Sequence, residues 1–270
     1  MYYICQMRFL VIFCIFLITS SCSQYRAYQQ ILKSEDLDFK LAKSYEYYNN
    51  QDYARALELF ENLLPYYKGN NKAEDLYYHY IYCNYFMNDY ISTSYHANNF
   101  ISKFILSEKN EELAFLASYC YYLDSPRYTL DQTNSLIAID ELENFINNYP
   151  DSDSVRVANN LIFKLNEKIQ KKNFEIVSSY YDRGDFKAAI YAIDHFLSIY
   201  PETIFIEYAR FVQVKAYYAL GKNSIAQKKE QRIKEAIFAS DDYLISFPDG
   251  KFTEEVTGIY QKLKALENGL

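Results

Sequence analysis

The hydrophobic positions of the chain recur with the period of an α-helix. In the segment 186–197, apolar side chains follow the spacing i, i+3, i+4, i+7 on one face: Phe186, Ala189, Ile190, Ile193, Phe196 and Leu197. Glycine and proline are rare, with six and five residues in 270, so the chain has little turn material for a sheet of many strands. The pattern predicts an all-α protein built from amphipathic helices.

Short breaks separate the helical segments at a constant spacing. Asp52, Asp89 and Pro126 follow one another at intervals of 37 residues, and Asp185 and Lys222 are also 37 residues apart. Self-similarity at such a period, combined with helical patterning, is typical of a solenoid. We therefore expect a solenoid of about five helix pairs with a closing C-terminal helix.

The repeated unit resembles the tetratricopeptide repeat, in which an aromatic residue ends the first helix and a small residue opens the second. The fourth unit matches best, through Tyr180, Gly184, Asp185, Ala189, Phe196 and Pro201. Small residues at corresponding places in the second helices would let neighbouring helices approach closely: Ala56, Ala138, Ala189 and Ala236.

Three parts of the repeat pattern are longer than the template. In the third unit the second helix is expected to begin near Asn134, eight residues after Pro126. In the fifth unit the corresponding start is Arg232, which makes the segment 223–232 an insertion of ten residues. The first helix of the fourth unit, from Val155, is longer by about four turns, so we expect it to project beyond the regular stack.

The amino terminus has the pattern of a bacterial lipoprotein signal. Ten apolar residues from Phe9 to Ile18 are about half of the roughly 20 that a spanning helix needs. Small residues then precede Cys22, which is expected to become the lipidated first residue of the mature chain. An ordinary cleaved signal with an incidental cysteine is the alternative.

The predicted organisation has four parts. Residues 1–21 form the signal peptide, with Met7 as a possible true start, and residues 22–37 form a lipidated linker. Residues 38–150 hold repeat units 1 to 3, and residues 151–270 hold the long helix, units 4 and 5 and the capping helix.

Composition and motifs exclude several classes of function. A net charge of −7 without a basic patch argues against a nucleic-acid partner. His79, His96 and His195 fall in separate segments, so no metal site is expected, and the glycine-rich nucleotide motifs are absent. The serine-hydrolase and zinc-protease motifs are absent as well, so we expect no enzyme, no catalytic residues and no cofactor apart from the lipid on Cys22.

Two cysteines of the repeat region occupy equivalent positions on neighbouring units. Cys83 and Cys120 are 37 residues apart, and equivalent positions on stacked helices lie about 8–10 Å from each other. That distance exceeds the reach of a disulfide, so we interpret both as small core residues.

Together these features resemble the outer-membrane β-barrel assembly lipoprotein (BamD) family, in the form found in Bacteroidetes. The resemblance rests on Cys22, the five repeat units, the segment Tyr122–Thr133 that fills the insertion of the third unit, and Asn-Tyr-Pro-Asp-Ser at 148–152. It implies a lipoprotein of the outer membrane, anchored through its lipid and facing the periplasm. The implied partners are the periplasmic domains of a BamA-like barrel-forming subunit and unfolded outer-membrane β-barrel proteins.

An aromatic stripe is the candidate peptide-binding groove. In tetratricopeptide arrays the first helices line the inner face, and those positions hold Tyr45, Tyr48, Tyr78, Tyr82, Tyr85, Phe115, Tyr119 and Tyr122. Tyrosine combines a large apolar body with one hydrogen-bonding tip, which suits contact with extended, aromatic-rich chains. The alternative is that these rings only pack between helices.

The carboxyl-terminal half is the candidate docking surface for the barrel-forming subunit. Its insertion places Lys228, Lys229 and Arg232 on an otherwise acidic protein. A solvated charged loop is the alternative for this segment.

A second scaffold function stays open from the sequence. Outer-membrane lipoproteins that help to capture nutrient glycans are also helical and lipid-anchored, and repeats alone do not separate the two functions.

Overall fold

The computed structural model describes residues 25–269, so the predicted signal peptide and Cys22 lie outside the described residues. Within this range the chain forms helices and no strand, which confirms the all-α prediction. The helices are α1 (25–32), α2 (Leu37–Asn49), α3 (Tyr53–Leu63), α4 (Ala73–Phe86), α5 (Tyr90–Lys103), α6 (Asn110–Asp124), α7 (Thr133–Asn148), α8 (Val155–Asp182), α9 (Phe186–Ile199), α10 (Ile206–Lys222), α11 (Ala226–Ser246) and α12 (Thr253–Glu267).

The helices form two compact units, unit 1 and unit 2, each of which contains several of the sequence repeats. The described part of unit 1 comprises residues 25–124 and Glu141–Val155, and that of unit 2 comprises Ser125–Asp140 and residues 156–269. Consecutive helices pack in order within each unit, from α2 to α6 in unit 1 and from α9 to α12 in unit 2. This succession of helix pairs is that of a tetratricopeptide-like solenoid, as the repeat spacing predicts.

The same turn closes the first helix of three repeats. Gln51, Asn88 and Gly184 each have a positive φ, of 62°, 62° and 81°. The aspartate that follows donates its backbone N–H to a carbonyl five residues earlier, at Tyr47, Asn84 or Tyr180. This bond and the left-handed residue together form the Schellman ending of a helix.

The aspartate of each turn also begins the next helix. The side chains of Asp52, Asp89 and Asp185 accept hydrogen bonds from the backbone N–H groups of Arg55, Ser92 and Ala188. One residue thus satisfies orphan backbone groups of two successive helices, which explains why aspartate recurs in these three turns.

Fully buried small residues let the helices of a pair approach closely. The alanines Ala56, Ala138, Ala189 and Ala236 have no exposed surface. In unit 1 the core runs from Leu41 through Phe60, Ile81 and Phe100, and in unit 2 it gathers around aromatic and aliphatic side chains of α8 to α12.

The two cysteines of the described range are free and buried, as the sequence predicts. Burial raises the pKa of both the Cys83 and the Cys120 thiol to about 12. Both therefore stay protonated and act as small apolar residues of the unit 1 core.

The insertion of the third sequence repeat, after Pro126, is an ordered segment that is hydrogen-bonded to the long helix α8. Helix α7 begins at Thr133, one residue from the predicted start, and α8 spans Val155–Asp182. The ammonium group of Lys168 donates to the hydroxyl of Ser125 and to the carbonyl of Pro126 at 3.0 Å, and Lys172 donates to the carbonyl of Leu130 at 2.7 Å. Two lysines in the middle of α8 thus hold this segment through hydrogen bonds.

The prediction that the second helix of the fifth repeat begins at Arg232 is wrong. Helix α11 begins at Ala226, so within the segment 223–232 only residues 223–225 lie outside a helix, and residues 226–232 form the first turns of α11. The charged residues of this segment therefore lie on a helix, and the interpretation as a solvated loop is corrected.

Candidate binding surfaces

The eight predicted groove residues lie on the first helices of the three repeats of unit 1, and all are half-buried. Tyr45 and Tyr48 are on α2, three tyrosines are on α4, and a phenylalanine and two tyrosines are on α6. Each of these residues is partly packed and partly open to solvent. We call this set the aromatic ladder: Tyr45, Tyr48, Tyr78, Tyr82, Tyr85, Phe115, Tyr119 and Tyr122.

His79 joins the rungs of α2 to those of α4. Its ring contacts Tyr45 and Tyr48 edge-on, with centroid distances of 4.9 and 4.8 Å. It also lies 5.6 Å from the Tyr78 ring, and its Nδ1 is 2.7 Å from the carbonyl oxygen of Asp75. An imidazole between phenol rings therefore makes the two helices one continuous aromatic surface.

The rungs also contact each other along their own helices. On α4 the Tyr78 and Tyr82 rings are 4.8 Å apart, and Tyr82 meets Tyr85 at 6.2 Å. On α6 the contacts are nearly parallel stacks, with Phe115–Tyr119 at 6.0 Å and 10° and Tyr119–Tyr122 at 5.9 Å and 12°. Aromatic neighbours in these geometries hold each other in place.

Carboxylates on the first helix of the next repeat fix three hydroxyl groups of the ladder. Tyr45 donates to Asp75 at 2.7 Å, Tyr78 donates to Glu112 at 2.7 Å, and Tyr82 donates to the same carboxylate of Glu112. Lys109 lies 3.1 Å from Asp75. The phenol rings are therefore held in defined orientations rather than left to rotate.

Four phenols of the ladder, on α2 and α4, are neutral at physiological pH. Burial, with the hydrogen bond to Glu112, raises the pKa of Tyr78 to about 12, and burial raises the pKa of Tyr48 to about 12. Burial and the bonds to carboxylates also raise the pKa values of Tyr45 and Tyr82. The surface consequently offers apolar ring area with neutral hydrogen-bonding tips.

The repeat pattern predicts the positions of the rings but not the side chains that contact them. Two such contacts are absent from the prediction: His79 lies between the rings of α2 and α4, and the Lys109 ammonium lies 4.6 Å from the centre of the Tyr78 ring. The only sequence signal was position, because His79 directly follows Tyr78 and Lys109 immediately precedes α6.

The three basic residues of the candidate docking surface lie in the first two turns of α11. Lys228 is exposed, whereas Lys229 and Arg232 are half-buried. Arg232 donates to the Ser224 hydroxyl at 2.8 Å, which ties it to the connection between α10 and α11. Helix α11 begins after Ile225, which gives no side-chain cap.

The charges at this helix start oppose the usual preference. The amino-terminal end of a helix carries partial positive charge, so lysines there are unfavourable for the isolated helix. A local conflict of this kind is common where a segment serves binding rather than stability.

Other classes of site are not found in the part of the chain that the structure describes. Between residues 25 and 269 no group of three or more histidine, cysteine, aspartate or glutamate side chains is placed to hold a metal ion. None of the helices in that range combines the length and the apolar character needed to cross a membrane.

The fold places the chain among all-helical proteins whose successive helix pairs pack as in a tetratricopeptide-like solenoid. Comparison with known families makes the assignment more specific. The family model YfiO, described as outer membrane lipoprotein, matches residues 39–178 and 158–270. The chain belongs to this family of outer membrane lipoproteins. No curated protein matches the chain significantly.

Proposed function

We propose that the protein is a lipid-anchored scaffold of the machinery that folds and inserts β-barrel proteins into the outer membrane. It faces the periplasm, holds unfolded barrel segments on the aromatic ladder of unit 1, and docks through unit 2 to the periplasmic domains of a BamA-like subunit. It performs no catalysis. Membership of the outer membrane lipoprotein family supports the location, and the ladder supports the binding role.

The observation that carries this proposal is the half-buried, oriented state of the ladder. Membrane-facing strands of β-barrels alternate apolar side chains and end in aromatic girdles, so an unfolded strand presents rings and backbone groups together. Rings with few rotors and fixed hydroxyls bind such chains with little loss of conformational entropy. The hydroxyl groups that are bonded to Asp75 and Glu112 are already fixed in the free protein, so peptide binding costs them no further rotational entropy.

Peptide binding tests the role of the ladder. Purified protein is expected to bind a peptide that copies the aromatic-ended last strand of an outer-membrane barrel more tightly than a scrambled version. Changing Tyr82→Ala and Tyr119→Ala together removes one ring from α4 and one from α6, and we expect at least a tenfold loss of affinity, since aromatic anchors that become buried in an interface contribute about 2 kcal/mol or more.

The matched control removes aromatic rings outside the ladder. Tyr191 on α9 and Phe238 on α11 are exposed, so Tyr191→Ala with Phe238→Ala changes the same number of rings on unit 2. This variant is expected to bind like the wild type. Equal affinity for strand and scrambled peptides, or equal losses in both variants, would contradict the ladder as a specific site.

Docking through α11 is tested by charge reversal. Rim charges mainly set association rate and orientation, so Lys228→Glu with Lys229→Glu is expected to slow assembly with the barrel subunit and raise its salt sensitivity more than it weakens the final complex. The control is Lys187→Glu with Lys262→Glu, which reverses two exposed charges on α9 and α12. Assembly kinetics and copurification from solubilised membranes are the measurements, and identical behaviour of the two variants would contradict docking at α11.

Depletion in cells tests the whole proposal. Loss of an assembly factor lowers many outer-membrane barrels together. A growth defect confined to particular glycans, with normal barrel levels, would instead favour a scaffold for nutrient capture.

A further inference from the structure

One edge of unit 1 carries exposed apolar side chains near the point where the lipid anchor would begin. Phe86 and Met87 end α4 and Ile91 lies in the first turn of α5, with exposed fractions of 42%, 45% and 70%. Tyr25, at the start of α1, is 60% exposed. Isolated exposed apolar residues are ordinary, whereas a set on one edge marks a contact surface.

The contacts of α1 establish which edge its first residue approaches. The Tyr28 ring lies 5.7 Å from that of Tyr47, near the end of α2, and its hydroxyl donates to Glu58 on α3. One turn later, Leu32 lines a surface cleft with Asn62 and Tyr66, at the far end of α3. Helix α1 therefore runs parallel to α3, and its amino-terminal end lies at the turn between α2 and α3.

The turn between α4 and α5 belongs to the same edge. Tyr53, the first residue of α3, stacks on Phe86, the last residue of α4, with ring centroids 4.5 Å apart and planes inclined by 23°. Tyr25 at one turn and Phe86, Met87 and Ile91 at the next consequently form one side of unit 1, which we call the anchor edge.

We propose that the anchor edge lies in the headgroup region of the membrane that holds the lipid. This inference rests on the proposed anchor at Cys22. Only Ser23 and Gln24 separate Cys22 from Tyr25, and three residues of extended chain span about 10 Å. The start of α1 is therefore held within about 10 Å of the lipidated residue.

Side-chain chemistry of the edge suits this position. Tyrosine is enriched at membrane–water interfaces, and apolar side chains beside it gain free energy when they enter the acyl boundary. The charged groups near the edge are of both signs: Arg26 follows Tyr25, Asp52 is paired with Arg55 at 2.7 Å, Asp89 caps α5, and Asp124 lies beside Ile91. Uncharged headgroups fit this edge better than anionic ones.

The opposite edge supplies a matched comparison within the same unit. Ile105 and Leu106, in the connection between α5 and α6, are exposed by 75% and 97%. They lie at the other end of α5, whose 14 residues span about 21 Å. Exposure alone would favour this edge, whereas proximity to the anchor favours the edge of Phe86, Met87 and Ile91.

A single tryptophan distinguishes the two edges, because the chain has no tryptophan of its own. Ile91→Trp and Leu106→Trp place the probe at exposed positions, and the lipidated proteins are bound to phosphatidylcholine vesicles that contain brominated acyl chains. We expect loss of most of the emission and a blue shift at position 91, with the emission at position 106 unchanged.

Every other outcome overturns the inference. Quenching at position 106 alone or at both positions would mean that another face meets the lipid. Absence of quenching at both positions while the proteins still sediment with vesicles would leave the lipid anchor in place and remove the anchor edge from the membrane. Failure of the lipidated proteins to sediment with vesicles would reject the anchor and the edge together.

Discussion

The same three helix positions are used differently in the two units. Eleven, seven and four residues before the turn, unit 1 has rings at nearly every site, and the middle position is tyrosine three times: Tyr45, Tyr82 and Tyr119. In unit 2 the corresponding middle residues are Ser178 and Lys215. The outer positions are aromatic in both units, with Leu41 of the first repeat as the exception.

The rings at the first position differ in burial between the two units. Phe174 and Phe211 of unit 2, at the first position, are each only 3% exposed, whereas Tyr78 and Phe115 at the same position of unit 1 are half-buried. Phe211 stacks on Phe252 with centroids 4.3 Å apart. In unit 2 these rings are core residues, and in unit 1 they form a surface.

The middle position differs in side-chain chemistry between the two units. In unit 2 the ammonium of Lys215 lies 4.9 Å from the Tyr181 ring and 4.4 Å from the Phe211 ring, so the lysine covers the aromatic rings with charge. In unit 1 the middle tyrosines extend the ring surface instead. At the middle position, unit 1 thus presents tyrosine rings, whereas unit 2 presents a serine and a lysine.

The largest expected effect breaks the comparison at the first position. Phe211→Ala removes a fully packed ring and is expected to cost about 3–5 kcal/mol of unfolding free energy. Phe115→Ala removes a half-buried ring and is expected to cost about 1–2 kcal/mol, since less area is lost from the interior. Urea unfolding of both variants measures the difference, and equal losses would show that the two rings have the same structural role.

A smaller effect concerns the hydroxyl at the middle position. Tyr45→Phe removes the donor to Asp75 and is expected to cost about 1 kcal/mol, because the bond is charge-assisted but half-exposed. Burial alone would raise the pKa of Asp75, but the bonds from Tyr45 and Lys109 outweigh it, so its pKa lies below the usual value.

The pH dependence has a definite sign. A carboxylate with a lowered pKa stabilises the fold above its unfolded value of 3.8 and loses that contribution as the pH falls through its folded pKa. The difference in stability between wild type and Tyr45→Phe is therefore expected to be full at pH 7 and to shrink below about pH 4. A difference that stays constant down to pH 2 would contradict the assigned role of Asp75.

The smallest expected effects sharpen the comparison at the turns. Gln51→Gly and Asn88→Gly in unit 1 relieve a positive φ and are expected to stabilise by up to about 1 kcal/mol each. Gly184→Ala in unit 2 imposes the same strain and is expected to destabilise by about 1 kcal/mol; a β-carbon there meets no atom within 4 Å, so backbone conformation is the cause. Thermal unfolding measures all three, and stabilisation by Gly184→Ala would refute the shared turn.

Local features of the sequence were sufficient for most of the fold. The 37-residue spacing located the turns because Asp52, Asp89 and Asp185 each cap a helix, and the long α8 followed from the absence of glycine and proline. The predicted start of α11 at Arg232 is six residues too late, because the tetratricopeptide template does not contain the extension that begins at Ala226. Its residues Ala226 to Arg232 are good helix formers and would have indicated a helix by propensity.

The sequence does not predict the long-range contacts. The carbonyl groups of Pro126 and Leu130 are held by Lys168 and Lys172, which are 42 residues away in the chain. The ladder positions followed from repeat offsets, but its carboxylates and His79 depend on how α2, α4 and α6 pack. Periodicity determines which face a residue occupies, whereas its partners are set by the neighbouring helix.

Photo-crosslinking in cells tests the central claim most directly, because it compares the same repeat position in the two units. A photoreactive phenylalanine analogue replaces Tyr82 or Tyr119 in unit 1, or Ser178 in unit 2, all seven residues before their turns. We predict that unfolded outer-membrane barrel proteins crosslink at positions 82 and 119 and not at 178. Equal crosslinking at all three positions, or crosslinking at 178 alone, would contradict the assignment of substrate binding to the aromatic ladder.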